Sequence, residues 1–248
     1  MAAFKVFETA SSLVIAYETL GLEHRRLWRL ESYRAESKNE DPVDWVNYNN
    51  AFAILILNAS IIEGTLRSIL THRLRHDVNE AVAQGSAAGQ TALNKMEQLL
   101  AKFQAEVEMS GGWEALKRHI ELYLDVSVDK AVKPETKEAI TVLFALRNVL
   151  SHGTAIIQPS MKMSDEMKDV YPWNWQSKLH GVAMYLERIF GKGGVFENLA
   201  DHEMPGHFWA VTQDYFTQLE SIFAPLPDAV EKTIKMIKDL SFGYRMHT

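Results

Sequence analysis

The sequence predicts an all-α protein, and three observations support that fold class. Apolar residues recur at helical spacing along most of the chain. Glycine (13 residues) and proline (7 residues) are too few for the many turns of a β-sandwich or barrel. With 47% apolar residues over 248 positions, the chain can bury a sizeable core. We expect one all-α domain over 1–248, with a bundle core at about 43–190 and flanking N- and C-terminal helices packed on it.

The apolar periodicity predicts eight helices. They are expected over 4–37, 43–75, 91–107, 113–124, 134–152, 176–190 and 208–223, and from Pro227 onward. Polar residues ending in Pro42 separate the first two, and Gly21 is a candidate break in the first. The middle of the second, 51–62, is apolar nearly all round and belongs in the centre of a bundle. The segment 77–90, rich in Ala, Gln, Gly and Ser, is expected to be a mobile connection.

The later helices carry start and stop signals. Pro134 suits a first helical turn, and Glu135 lies near the positive end of the dipole. Gly153 is placed to cap the other end of that helix. The sixth helix ends at the glycine-rich segment 191–194, which predicts a turn because it follows a helix and lacks the phosphate-loop pattern.

Composition excludes or disfavours several classes of protein and site. The chain has no cysteine, which rules out disulfides, cysteine-ligated zinc, iron–sulfur clusters and a thiol nucleophile. The start of the chain lacks a signal-peptide pattern. The longest uncharged stretch, 45–62, contains four asparagines and a serine, so it predicts a buried helix and not a membrane span. We therefore expect a cytoplasmic protein that does not contact membranes. Because the net charge is −6, contact with nucleic acid needs a local basic patch.

The segment 202–207 invites comparison with a zinc-protease motif but does not fit it. That motif needs two histidines four residues apart on one helix face, whereas His202 and His207 are five apart with Pro-Gly between them. We expect a loop with two surface histidines. No set of His, Asp and Glu has ligand spacing on one predicted element, so we predict no metal and no cofactor.

The end of the fifth helix combines residues that suit chemistry on phosphates. It reads Leu146-Arg147-Asn148-Val149-Leu150-Ser151-His152-Gly153. Projected at about 100° per residue, Arg147 falls on an apolar face, while Asn148 and His152 share a polar stripe with Thr141. The helix dipole favours a positive charge at His152. Arginine can bind the charge that grows on a phosphate, and histidine can transfer a proton. In the alternative, structural interpretation, Arg147 bonds a buried carboxylate and His152 caps the helix.

The segment 147–153 resembles the R-N-x-x-x-H signature, often followed by Gly, of the HEPN superfamily (higher eukaryote and prokaryote nucleotide-binding). The resemblance implies a HEPN-like helical bundle, usually dimeric. Many members are metal-independent ribonucleases that act as toxins, in antiviral defence or in RNA processing. The run 140–146 and the expected buried helix at 58–63 are similar to the family's general pattern, and the looser helical likeness spans about 45–188.

Residue by residue, the resemblance implies three catalytic roles. Arg147 would stabilise the transition state, His152 would activate or protonate oxygen at the scissile phosphate, and Asn148 would position them. Arg147 and His152 are five residues apart, or about 140° around a helix axis, so one helix does not easily aim both at one phosphate. Two copies of the helix end across a two-fold axis can do so, which predicts a homodimer.

Weaker candidates for contact with RNA lie elsewhere in the chain. Glu63, Arg67 and Ser151 are candidate substrate-binding residues, although the spacing of Glu63 and Arg67 favours a local helix ion pair. Basic clusters occur at 24–34 and 72–76, where a solvated helix face is the alternative. An aromatic loop at 171–175 can stack on bases or pack against the bundle.

Three interpretations remain open from the sequence. The first is a HEPN-type endoribonuclease that cuts RNA by attack of the 2′-hydroxyl, with an antitoxin or defence protein as a further partner. The second is a catalytically silent HEPN-like module that binds a protein partner or a nucleotide. The third is an unrelated helical scaffold in which Arg147 and His152 are structural.

Overall fold

The computed structural model describes residues 9–43, 48–90, 92–109, 111–152 and 173–242, except for the side chains of Asn49 and of residues 173–178. Within these ranges the chain forms nine helices and no strand, which confirms the all-α prediction. The helices are α1 Thr9–Lys38, α2 Tyr48–Ala87, α3 Lys95–Met109, α4 Trp113–Leu124, α5 Pro134–Ser151, α6 Trp173–Phe190, α7 Phe196–Leu199, α8 Met204–Leu219 and α9 Asp228–Asp239.

The long helix α2 is the centre of the bundle. It packs against α1, α3, α4, α5, α8 and α9, and its middle residues, such as Ile54, Ile61 and Leu66, are fully buried. The predicted buried helix is confirmed over 48–62. By length and composition α2 is the one described helix apolar enough to cross a membrane, but most of that apolar stretch lies inside the bundle, as in the core helix of a folded domain.

Two predictions about helix continuity are wrong. Helix α1 runs through Gly21 without a break, because a lone glycine costs only about 1 kcal/mol and the flanking residues Tyr17 and His24 are packed in the core. The expected connection at 77–90 is helical as far as Ala87. Alanine and glutamine are good helix formers, and the Tyr123 hydroxyl holds Asp77 at 2.6 Å.

The start of α3 differs from the predicted start at residue 91, which itself lies outside the described residues. The backbone N–H of Glu97 donates to Asn94 Oδ1 at 3.0 Å, and the N–H of Asn94 donates to Glu97 Oε2 at 2.7 Å. This reciprocal capping box satisfies two N–H groups at the helix start and places the first helical residue at Lys95.

Helix α5 has the predicted bounds, with Pro134 in its first turn and His152 at its C-cap. It packs against α2, α6 and α8, and its core face includes Ile140, Leu143 and Leu146. The expected cap at Gly153 lies outside the described residues. The buried face fixes the rotation of α5, which sets the direction in which its last turn presents polar side chains.

Helices α6 and α8 begin earlier than predicted. Helix α6 starts at Trp173, since 173–180 contains no glycine or proline to stop a helix, so residues 173–175 of the expected aromatic loop are helical. Helix α8 starts at Met204, so the expected loop at 202–207 is mostly helix. Proline is tolerated in a first turn, and the Tyr17 hydroxyl donates to the Pro205 carbonyl at 3.3 Å in the core.

The predicted glycine-rich turn at 191–194 is confirmed. Gly191 and Gly194 have φ of 75° and 82°, and the buried side chain of Asn198 donates to the carbonyls of Lys192 and Gly194 at 2.6 and 2.5 Å. These bonds close the turn against the short helix α7, which the periodicity did not predict because four residues carry no repeat.

Candidate active site

The last turn of α5 carries polar side chains on its solvent-facing side. Asn148, Ser151 and His152 are exposed, and the side chain of Arg147 keeps 26% of its surface in contact with solvent. Thr141, about two turns before Asn148 and three before His152, is exposed as well, which confirms the predicted polar stripe. The structure therefore places the three predicted catalytic residues on one accessible helix end.

Arg147 is held by a carboxylate from the central helix. Its Nη2 lies 3.2 Å from Oε2 of Glu63, whose side chain is only 12% exposed. Its Nη1 donates to Asn148 Oδ1 at 3.0 Å. The second bond holds the guanidinium on the Asn148 side of the helix. Two of the five N–H donors of Arg147 are thus used.

Glu63 also binds a second arginine. Arg67 Nη2 donates to Glu63 Oε1 at 2.9 Å, which confirms the predicted local ion pair on α2. The Nη1 of Arg67 donates to the carbonyl of Val107 near the end of α3. Each oxygen of one carboxylate therefore receives one guanidinium, and α3, α2 and α5 are connected by this chain of contacts. The two bonds fix the plane of the Glu63 carboxylate and, through it, the position of Arg147.

His152 ends the helix and faces solvent. Its backbone is close to helical (φ −84°, ψ −5°), and its N–H donates to the Leu150 carbonyl. No hydrogen bond or ion pair joins its ring to Arg147 within the part of the chain that the structure describes. This agrees with the separation of about 140° expected for residues five apart on one helix.

Both features expected of a structural role are also present. Arg147 bonds a largely buried carboxylate, and His152 occupies the cap of α5. What the sequence did not indicate is that the same carboxylate, Glu63, takes part in the local pair with Arg67 and in the long-range pair with Arg147. Only the packing of α2 against α5 brings these groups together.

The basic cluster at 24–34 is largely neutralised. Arg25 forms a bidentate pair with Glu203 at 2.7 and 2.9 Å, and Arg26 and Arg34 pair with acidic residues on α1. His24 belongs neither to a surface for RNA nor to a solvated helix face, because it is only 1% exposed. Its Nε2 lies 2.9 Å from the His202 carbonyl oxygen. This helix face offers little uncompensated charge for RNA.

The basic cluster at 72–76 contains both buried and paired residues. Leu74 is fully buried, Arg75 pairs with Glu108 at 3.2 Å, and His76 lies 3.8 Å from Glu80. Ligand atoms of His76, Asp77 and Glu80 lie within 4.8 Å of one another. The expectation that no element carries such a set is therefore wrong for α2, because 77–80 is helical and was expected to be a loop. The set is mostly exposed, and Asp77 already accepts the Tyr123 hydroxyl.

The two histidines of 202–207 are only in part surface residues. The His202 ring stacks on Trp28 with centroids 4.1 Å apart. His207 is half-buried, and its Nε2 lies 2.7 Å from the Tyr185 hydroxyl. The rings have different partners, Trp28 for His202 and Tyr185 for His207.

Comparisons with family models, with curated proteins and with solved structures find no match to this chain.

Proposed function

We propose that the protein is a HEPN-type, metal-independent endoribonuclease that cleaves RNA by attack of the 2′-hydroxyl at a composite site in a homodimer. The observation that carries the proposal is the accessible end of α5, where Arg147, Asn148 and His152 lie within six residues and Glu63 holds the arginine in place. The toxin–antitoxin or antiviral setting follows from the same resemblance and belongs to the proposal, as does the cytoplasmic location expected from the sequence.

Each residue has a distinct task in this mechanism. Arg147 binds the non-bridging oxygens of the scissile phosphate and stabilises the charge that grows on them. His152 removes the proton from the 2′-hydroxyl or returns one to the leaving 5′-oxygen. Asn148 positions the arginine through the 3.0 Å bond to its Nη1. Exposed Ser151, whose Oγ lies 3.4 Å from the Asn148 carbonyl, remains a candidate for substrate contact.

Glu63 and Arg67 take a different role from the substrate contact first considered for them. Glu63 is largely buried and both of its oxygens already accept a guanidinium group, so it positions Arg147. Arg67 is bonded to Glu63 and to the Val107 carbonyl. We assign both residues to orientation of the arginine.

The dimer supplies what one helix end lacks. Arg147 leans toward α2, whereas His152 lies exposed about 140° away around the helix axis. A two-fold axis near the end of α5 places the His152 of one copy beside the Arg147 of the other.

RNA cleavage in chelator tests the reaction class. Purified protein is incubated with a mixed-sequence RNA in excess EDTA, and the ends of the products are identified. The mechanism predicts 2′,3′-cyclic phosphate or 3′-phosphate ends that appear with wild type and with Thr141→Ala, an exposed control on the same polar stripe, but not with His152→Ala. Cleavage that disappears in EDTA and returns with a divalent ion contradicts the proposal.

The second candidate function is a silent HEPN-like module that binds a protein partner or a nucleotide. The observation that favours it is the Glu63 carboxylate, which offsets the charge of Arg147 as a purely structural ion pair does. Absence of RNA cleavage by wild-type protein, together with loss of stability in Arg147→Ala, would favour this function or a plain scaffold.

A further inference from the structure

A cleft lies at the other end of α5 from the candidate active site. It has a volume of about 790 Å³ and is formed by the first turns of α5, the last turns of α6 and the middle of α8. Thr136, which lines it, is eleven residues before Arg147, or about 16 Å along the helix axis. The ion pair between Arg188 of α6 and Glu138 of α5 joins the two helices at this end. The cleft is thus independent of the proposed ribonuclease site, and its volume falls in the range of small-molecule sites.

The floor of the cleft is apolar. Ala139, Ala210 and Val211 line it, together with Ile189, which is 42% exposed. An apolar group laid over these residues would remove their surface from water, and such burial is favourable. The floor therefore selects a ligand with an apolar portion.

The charges at the rim are mostly negative. Glu135, Glu138 and Asp214 line the cleft, against Arg188 as the one cation among its lining residues. Arg188 Nη2 lies 2.5 Å from Glu138 Oε2, so this pair is internally compensated. The formal balance is three negative charges and one positive charge, which leaves two negative charges uncompensated.

The two other titratable residues of the cleft do not change this balance near neutral pH. Burial lowers the pKa of His207, which favours the uncharged ring. Burial is the main cause that raises the pKa of Tyr185 to about 12, and the charge of Glu138 acts in the same direction. The Tyr185 hydroxyl and His207 Nε2 lie 2.7 Å apart and form one neutral hydrogen-bonded wall.

Asp214 is the best-oriented carboxylate of the cleft. The Thr136 hydroxyl donates to its Oδ2 at 2.7 Å, and Gln218 Nε2 donates to the same oxygen at 2.6 Å. Gln218 Nε2 also lies 2.9 Å from the Thr136 hydroxyl, so the three side chains form a closed set. Both bonds reach Oδ2, which leaves Oδ1 for a further donor.

We propose that this cleft binds a small organic cation, a primary amine on an apolar stem, with its ammonium group at Asp214 and its stem over Ala139, Ala210 and Val211. A carboxylate or phosphate ligand would meet the uncompensated negative charge. A bare metal ion would make no use of the apolar floor. The apolar floor and the uncompensated negative charge together set the ligand class.

A matched series of ligands tests this proposal on the whole protein. Hexylamine, hexan-1-ol and hexanoate share one apolar chain and differ in head group, and their binding is measured by ligand-observed NMR titration. Hexylamine should bind at least about tenfold more tightly than hexan-1-ol, because a hydrogen bond between charged groups is stronger than a neutral one. Hexanoate should bind most weakly. Equal binding of hexylamine and hexanoate, or no binding of hexylamine at tens of millimolar, overturns the proposal.

Variants locate the site. Asp214→Asn should weaken hexylamine about tenfold and leave hexan-1-ol unchanged, whereas Ala210→Leu, which fills the floor from an exposed position, should weaken both. Glu231→Gln on α9, an exposed acidic residue that does not line the cleft, is the control for net charge. If Asp214→Asn does not fold, Glu135→Gln at the exposed start of α5 takes its place, with a smaller loss expected. Hexylamine binding that is the same in these cleft variants as in Glu231→Gln overturns the assignment.

Discussion

The carboxylate of Glu63 lies 3.2 Å from the guanidinium of Arg147 and thereby ties the centre of α2 to the last turn of α5. The same carboxylate binds Arg67 at 2.9 Å. The arginine in the last turn of α5 is thus partly exposed and fixed in direction. This arrangement suits the catalytic role that we propose for Arg147 and also suits a role in stability, and the two roles can be separated by substitution.

Glu63→Ala should destabilise the protein more than Arg147→Ala. Removing Glu63 leaves two partly buried guanidinium groups without their shared carboxylate, and we expect a loss of about 2 kcal/mol in the free energy of unfolding, below the value for a fully buried pair. In Arg147→Ala, Glu63 keeps Arg67 as its partner, so the loss should stay below about 1 kcal/mol. Urea unfolding of both variants and of the double variant gives the coupling between the two residues. An Arg147→Ala loss as large as that of Glu63→Ala would show that Arg67 does not compensate.

His152→Ala should lose RNA cleavage and keep its stability. Loss of proton transfer lowers the rate by roughly 10²–10⁴-fold, whereas an exposed histidine at a helix end contributes at most about 1 kcal/mol through the helix dipole. The rate is measured on a fluorescent RNA and the stability by thermal melting. His76→Ala, an exposed histidine on α2, is the matched control and should cleave like wild type. A His152→Ala variant that cleaves at the wild-type rate would remove the residue from the mechanism.

Stability should fall in mild acid because of two histidines, the buried His24 and the half-buried His207. Burial is the main cause that lowers the pKa of His24 and of His207; at His24 the charge of Arg25 acts in the same direction and the His202 carbonyl acts against it. Since the folded pKa is depressed, the unfolded chain takes up protons at higher pH than the folded chain does. The contribution of each histidine is therefore present above the unfolded pKa of about 6.5 and is lost as the pH falls below it.

Thermal melting between about pH 7.5 and pH 5.5 checks this expectation. His24→Gln, which keeps a donor for the His202 carbonyl, should show a shallower decline of the melting temperature than wild type, and exposed His76→Gln should show the wild-type decline. A melting temperature that does not change over this range, or an equal decline in His24→Gln, would contradict the assignment.

The protein should form a homodimer in solution. The separation of about 140° between Arg147 and His152 requires a second copy for a complete site. Light scattering at micromolar concentration should give about twice the chain mass of 28.2 kDa. A monomer under these conditions would contradict the composite site while leaving the fold unaffected.

The sequence predicted those parts of the fold that depend on local pattern. The bounds of α4 and α5 follow from their periodicity, the glycines before Trp113 and the proline at residue 134. The wrong boundaries depend on side-chain contacts: the capping box of Asn94 and Glu97, the bond from Tyr123 to Asp77, and the burial of Pro205 under Tyr17. A composition rich in Ala, Gln and Ser does not distinguish a helix from a connection when a tertiary contact decides between them.

The candidate site was predictable to a similar extent. The periodicity of α5 predicts which residues of its last turn lie on the surface. The spacing of Glu63 and Arg67 predicts their ion pair. The contact between Glu63 and Arg147, 84 positions apart, requires the packing of α2 against α5, which no local pattern encodes. The cleft at Asp214 is formed by three helices, so no local pattern in the sequence predicts it either.

Mixing two inactive variants tests the composite ribonuclease site most directly. Arg147→Ala and His152→Ala are purified separately, each is shown to be inactive, and they are combined in equal amounts and allowed to exchange subunits. Half of the resulting dimers are mixed, and each mixed dimer holds one intact pair, an arginine from one copy and a histidine from the other. The mixture should regain about a quarter of the wild-type rate of RNA cleavage. If wild type cleaves RNA but the mixture exchanges subunits and stays as inactive as its components, the composite site is contradicted. If the wild-type protein does not cleave RNA, the proposed ribonuclease activity itself is contradicted.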